Sequence, residues 1–259
     1  MASPGTSRKH QIPDINMSNV ANVLAVQAGL LDTFYVETDL ICPRSPFFET
    51  ARTRRWRSGR KQRPIYLPHV KPATFSAYLM LLQELQFRIP DEAGEAFPHL
   101  AHIYFLADKV GDLISTNLVI DQFISLVKET ALVPNSTCVD LIYGNTVPSS
   151  PLRHLIVDYM VFDADEDCLN DESAHDFPPL FLRDIILGQR RLRDEWARSS
   201  DNALFWTGPA KKARLEKCYY HQHSAQFPAC ATAAEIMDVQ EDGLVDAEEN
   251  KMNDRCRIV

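Results

Sequence analysis

The feature that most constrains this fold is a change in the spacing of apolar residues near residue 37. Before it lie two short segments rich in β-branched and aromatic residues, 23–28 and 33–36, separated by a turn that begins at Gly29. Such segments are typical of strands, and together they predict a hairpin. After it, apolar residues recur at helical spacing almost to residue 198. A few short strands followed by helix after helix predict an α+β domain that is mostly helical.

Start and stop signals locate the helices. Ser45 and Pro46 open one of them, and we expect Phe47 and Phe48 to supply its buried face. Pro72 opens another, after a short third strand at 65–67. The remaining helices are predicted at 97–110, 113–128, 137–143, 150–162 and 178–198. The basic stretch 52–63 has no apolar period and predicts a loop.

The chain divides into four parts by composition. Residues 1–20 form a polar leader that we expect to be disordered, and 21–130 hold the strands and the first helices. Residues 131–200 form a helical extension, and 201–259 form a polar to acidic tail, which we expect to be largely disordered.

Charge and motif content narrow the classes of function. The formal net charge of −8 makes binding to nucleic acid by bulk attraction unfavourable, and no apolar run approaches the roughly 20 residues of a membrane span. The six cysteines are scattered without a CxxC pair, and no secretory segment is visible, which predicts a cytosolic or nuclear location. Gly-rich phosphate loops, GxSxG and HExxH are missing, so we expect no enzyme.

Three blocks resemble a known family. Residues 34–48 end in Arg-Ser-Pro-Phe-Phe, residues 100–111 contain Leu-Ala-Asp-Lys-Val-Gly, and residues 142–153 run from Ile-Tyr-Gly-Asn-Thr to Ser-Pro-Leu-Arg. The first two resemble the signature of BTB/POZ domains, with Asn117, Ile120 and Asp121 matching the helix that follows. The third is similar to a phrase behind the BTB domain in filamentous-fungal members. The chain departs from the family at Glu37, where histidine is common, in the basic stretch 52–63, and in the short connection after Leu85.

The resemblance implies a BTB/POZ fold, a small sheet flanked by helices, with a C-terminal helical extension. It implies a protein-interaction adaptor that could dimerise and could recruit substrates to a cullin-type ubiquitin ligase. Asp39 and Arg44 fall where the family places charges beside a dimer groove, although a helix cap and a solvated arginine are the simpler explanation of the two residues.

The basic stretch supports an alternative function. Seven cations surround Trp56, namely Arg52, Arg54, Arg55, Arg57, Arg60, Lys61 and Arg63. Such a patch could bind phosphate or direct nuclear import, as in a nuclear or chromatin-associated regulator. A solvated loop opposite the acidic tail is the structural alternative. The acidic loop 163–176 offers an intramolecular partner, although surface pairing of this kind is weak.

One set of residues has metal-ligand character. Cys218, His221, His223 and Cys230 could surround Zn²⁺ with two thiolates and two imidazoles. A polar tail with chance cysteines and histidines is the alternative. No other cofactor is expected.

Overall fold

A hairpin and one parallel strand form a three-stranded mixed sheet. The computed structural model describes residues 22–58, 64–85, 87–162, 176–198, 218–224 and 257–258. Strand β1 (Val23–Ala28) is central, antiparallel to β2 (Asp32–Glu37) and parallel to β3 (Ile65–Leu67). Gly29 makes the turn after β1 at a φ of 65°, a left-handed conformation that glycine adopts without steric cost. The predicted hairpin is confirmed.

Two helices follow the hairpin, α1 (Thr38–Ile41) and α2 (Pro46–Ser58). The prediction of a loop over 52–63 is therefore wrong for residues 52–58, while 59–63 lie outside the described residues. Apolar spacing missed this part because the segment is rich in arginine and contains few apolar residues. Arginine has a high helix propensity, and Arg52 pairs with Glu49 one turn earlier at 2.8 Å.

The start of α2 is fixed by its first turn. Ser45 Oγ donates to the Val110 carbonyl at 2.6 Å and accepts from the Phe48 N–H at 3.3 Å. Phe48 is fully buried, so the expectation for it is confirmed. The expectation for Phe47 is wrong, because its neighbour fills the interior and leaves it 40% exposed.

Three longer helices follow, α3 (Pro72–Glu84), α4 (Ala93–Val110) and α5 (Leu113–Thr130). Of these, α3 and α4 pack against the sheet. Gly111 ends α4 at a φ of 74°, and the Asp112 N–H reaches back to the Ala107 carbonyl at 2.9 Å. The Asp112 carboxylate then caps α5 by accepting the Ser115 N–H at 3.0 Å. Gly111 and Asp112 thus turn the chain between two helices that pack on each other.

The extension consists of α6 (Ser136–Asn145), α7 (Pro151–Phe162) and α8 (Pro179–Arg198). Arg153 of α7 is buried and binds the C-terminal end of α6 through several hydrogen bonds. Its guanidinium donates to the Tyr143 carbonyl at 2.6 Å, to Thr146 Oγ1 at 2.8 Å and to the Thr146 carbonyl, and it lies 4.3 Å from the centre of the Tyr143 ring. The residues of the third sequence block therefore meet at the joint between two helices.

Two short parts of the tail have a defined place. Strand β4 (Leu132–Val133) pairs in parallel with β5 (Arg257–Ile258), and residues 218–224 lie against α5 and α7. The expectation of a largely disordered tail stays a prediction for the rest of 201–259.

The interior contains two clusters of buried apolar side chains. One lies between the sheet and α3, with Phe48, Phe75 and Tyr78 at its centre. The other joins α4 and α5 to the extension. Helix α4 contributes to both. The fold is α+β, mostly helical with a small mixed sheet, as expected. Among the described helices, none has the length and apolar character needed to cross a membrane.

Candidate functional site

An open groove runs between α1 and α2. Its volume is about 510 Å³. It is lined by Thr38, Asp39, Cys42, Pro43, Pro46, Glu49, Thr50 and Arg52. The groove therefore presents apolar surface from two prolines together with side chains of both charges.

The only thiol in this groove is not activated. Burial raises the pKa of Cys42 to about 11, and the neighbouring Glu49 carboxylate adds to the rise. Two hydrogen bonds from Arg52, at 2.8 and 3.0 Å, hold the pKa of Glu49 below its usual value. Cys42 therefore stays a protonated thiol at neutral pH, which makes it a poor nucleophile.

The structure separates the two residues that the sequence placed at a dimer groove. Asp39 is exposed and lines the groove. Arg44 points into the interior instead, with only 13% of its side chain exposed. Its guanidinium lies 3.4 Å from the Asp112 carboxylate and donates to Ser115 Oγ at 3.0 Å. Arg44 therefore joins the loop before α2 to the start of α5 and leaves only a small part of its side chain exposed.

Asp112 is the centre of a polar network that the sequence did not indicate. Its carboxylate is fully buried and accepts from the Tyr78 hydroxyl at 3.0 Å and from Ser115 Oγ at 2.7 Å. Burial and the neighbouring carboxylate raise the pKa of Tyr78, which therefore remains a donor. Sequence analysis did not single out Asp112, because its partners Tyr78 and Arg44 are far away along the chain.

The face of the sheet that points away from the helices carries exposed aromatic residues. We call it the outer sheet face and define it by Ala25, Gln27, Thr33, Tyr35 and Tyr66, which the pairing of the strands puts on one side. Tyr35 is 55% exposed and Tyr66 is 50% exposed. The turn at one end of this face adds two exposed leucines, Leu30 and Leu31. The sequence predicted the strands but gave no sign of which face would remain open.

The basic patch is only partly visible. Arg52 is paired with Glu49, and Arg54 is exposed on the same helix. The backbones of Arg55 and Arg57 continue that helix, so the patch begins as a helical surface and not as a loop. Arg60, Lys61 and Arg63 lie outside the described residues.

Three of the four predicted metal ligands come together. The ligand atoms of Cys218, His221 and His223 all lie within 4.8 Å of one another. Cys230 lies outside the described residues. The His221 ring is close to Asp121 of α5, with Nε2 at 3.0 Å from Oδ1. A thiolate and two imidazoles are ligands that zinc prefers.

Comparison with known proteins identifies no relative of this chain. No protein-family model, curated protein or solved structure matches this chain. The class of the fold therefore rests on its own strands and helices, and its family and function are matters for proposal.

Proposed function

We propose that this chain is a non-enzymatic protein-interaction adaptor with a BTB/POZ fold, and that it works as a homodimer. The sequence blocks around Ser45 and Gly111 support the family, because both residues sit at joints of the fold. Ser45 fixes the start of α2 on the Val110 carbonyl, and Gly111 makes the turn between α4 and α5. A small sheet followed by stacked helices is the arrangement that the resemblance implies.

The observation that carries the proposal is the outer sheet face. Tyr35 and Tyr66 leave about half of their surface in water, although a tyrosine ring gains free energy when it is buried and keeps its hydroxyl paired. Tyrosines are enriched in protein interfaces for this reason. The other face of the same sheet is covered, with Val26 and Phe75 fully buried beneath it. The sheet therefore has one face that belongs to the core and one that suits a partner.

A second copy of the chain is the partner that fits this surface. Within the described part of the sheet, β2 and β3 each have one neighbouring strand, so both are edges that another strand could extend. The groove beside β2 carries both signs of charge, with Asp39 and Glu49 opposite Arg52. A two-fold interface requires a patch that complements itself, and a surface of mixed charge meets this requirement.

Light scattering on the full chain tests the dimer. We expect the wild-type protein to have twice the chain mass of 29.4 kDa at micromolar concentration. The double variant Tyr35→Glu/Tyr66→Glu should have the mass of one chain and an unchanged circular dichroism spectrum. Val147→Glu is the matched control, because Val147 is 61% exposed in the loop between α6 and α7. A wild-type mass of one chain would refute the dimer.

Recruitment to a cullin-type ubiquitin ligase is the more specific form of the adaptor role. It predicts that the tagged full chain captures a cullin from cell extract and that mass spectrometry identifies it. Capture without any cullin would contradict the ligase role and leave the dimeric adaptor in place.

The alternative role as a nuclear or chromatin-associated regulator uses the basic stretch 52–63. It predicts a complex with DNA in a gel-shift assay that weakens as the salt concentration rises. The pairing of Arg52 with Glu49 reduces the positive charge available for it.

A further inference from the structure

A short segment of the tail brings together a thiol and two imidazoles. Cys218, His221 and His223 lie within a stretch of six residues, 218–223, and their ligand atoms lie within 4.8 Å of one another. The centres of the two imidazole rings are 6.1 Å apart. Zinc binds sulfur at about 2.3 Å and imidazole nitrogen at about 2.0–2.1 Å, so small side-chain rotations would bring all three donors onto one ion.

The protein holds this segment in position from both sides. Asn117 of α5 makes two hydrogen bonds to Gln222, one to its carbonyl and one from its N–H, each at 2.9 Å. Tyr220 is buried and donates to the Asp158 carboxylate of α7 at 2.7 Å. The backbone between the ligands is thereby fixed, which lowers the entropy that a metal ion would have to overcome to order it.

Asp121 supplies the support that a metal-binding histidine requires. His221 Nε2 lies 3.0 Å from Asp121 Oδ1, and only 1% of the histidine side chain is exposed. A metal ion bound through Nδ1 would leave this contact intact. A carboxylate on the second ring nitrogen fixes the orientation of the ring and makes it a stronger ligand, an arrangement typical of zinc sites.

We propose that Cys218, His221 and His223 bind one zinc ion, with Asp121 as the positioning residue for His221. The Cys218 thiol loses its proton to solvent when the sulfur binds the ion. The fourth coordination position is left to water or to a further donor. The ion is structural in this proposal, because it would order residues 218–223 and hold them against α5 through the contact of His221 with Asp121.

Cobalt titration of the metal-free full chain tests the site directly. We expect one Co²⁺ per chain, a thiolate-to-cobalt charge-transfer band in the near ultraviolet, and displacement of the cobalt by zinc. Cys218→Ser should abolish the band, and His221→Ala should lower the affinity at least tenfold. Asp121→Asn should keep the stoichiometry and lower the affinity by about 10- to 100-fold. His69→Ala, at an exposed histidine in the loop before α3, is the matched control.

A second measurement uses only the wild-type chain, so its result does not depend on whether a variant folds. Limited proteolysis of the wild-type chain should cleave near residues 218–224 faster in the presence of a chelator, and added zinc should restore the protection. The proposal is overturned if the wild-type chain binds no stoichiometric cobalt. It is also overturned if Cys218→Ser and His221→Ala bind cobalt as the wild type does, because the ion would then lie elsewhere.

Discussion

Replacing Asp112 with alanine should destabilise this protein more than almost any other single change to a polar residue. The carboxylate is fully buried and interacts with three parts of the structure. It caps α5, it accepts the Tyr78 hydroxyl, and it lies opposite the Arg44 guanidinium. Ser115 Oγ accepts from Arg44 at 3.0 Å, so Arg44 would keep one partner after the substitution, whereas the Tyr78 hydroxyl would lose its acceptor.

The magnitude follows from the contacts. Loss of a helix cap costs about 1 kcal/mol, and a hydroxyl left buried without an acceptor costs about 1–3 kcal/mol. Removal of one member of a buried ion pair costs about 3–5 kcal/mol, because the other charge stays desolvated. These penalties overlap, since one carboxylate serves all three contacts. The 13% exposure of Arg44 also lets water reach part of that charge. We expect Asp112→Ala to lower the free energy of unfolding by about 3–5 kcal/mol.

Urea denaturation followed by circular dichroism measures this change. With a slope of about 3 kcal/mol per M, the midpoint should fall by about 1–1.7 M. Asp140→Ala, at an exposed position of α6, is the control and should change stability by less than about 0.5 kcal/mol. The double variant Arg44→Met/Asp112→Ala should be less destabilised than the sum of the two single variants, because it leaves no unpaired charge. A loss below about 1 kcal/mol for Asp112→Ala would refute the reasoning.

Three further predictions concern other parts of the molecule. Burial lowers the pKa of His99 and His102 below their usual 6.5, so the unfolded chain binds more protons as the pH falls through that value. The stability that these two neutral histidines allow should be present above about pH 6.5 and be lost on acidification. The double variant His99→Gln/His102→Gln should therefore flatten the pH profile of the urea midpoint, and an unchanged profile would contradict this. Gly188→Ala would place a methyl group 2.8 Å from Val161 Cγ2, so α8 should be cleaved faster in limited proteolysis, and equal rates would exclude the clash. Burial raises the pKa of Cys138 to about 12, so iodoacetamide should not modify it in the native protein at pH 7.5, as peptide mass mapping would show.

Much of the fold could be predicted from local chemistry. The strands around Gly29 and the helix that begins at Pro72 follow from residue types with strong backbone preferences. The helix predicted to end at residue 110 does so, and Gly111 follows it with the left-handed φ that glycine permits. The spacing of Cys218, His221 and His223 was also sufficient to predict that their side chains could meet.

Long-range contacts could not be predicted in this way. Arg44 was placed at a dimer groove by the resemblance, yet its partners Asp112 and Ser115 lie about 70 residues away along the chain. Nothing in the local sequence selects which charged residue turns inward. The helix over 52–58 was missed because apolar spacing identifies only helices with an apolar face, and this arginine-rich segment has no apolar period.

The participation of α4 in both apolar clusters has a consequence for how events at the two ends of the molecule are coupled. Leu106 and Val110 of this helix belong to the cluster beneath the sheet, while Leu100 and Tyr104 belong to the cluster shared with the extension. Unfolding of either the sheet or the extension would remove packing contacts from α4, so the two parts should unfold together as one cooperative unit. A partner that binds the sheet should then also slow amide hydrogen exchange in the helices of the extension. A fragment that ends near residue 130 should be prone to aggregation, because it would expose the apolar side chains of α4 and α5 that the extension covers.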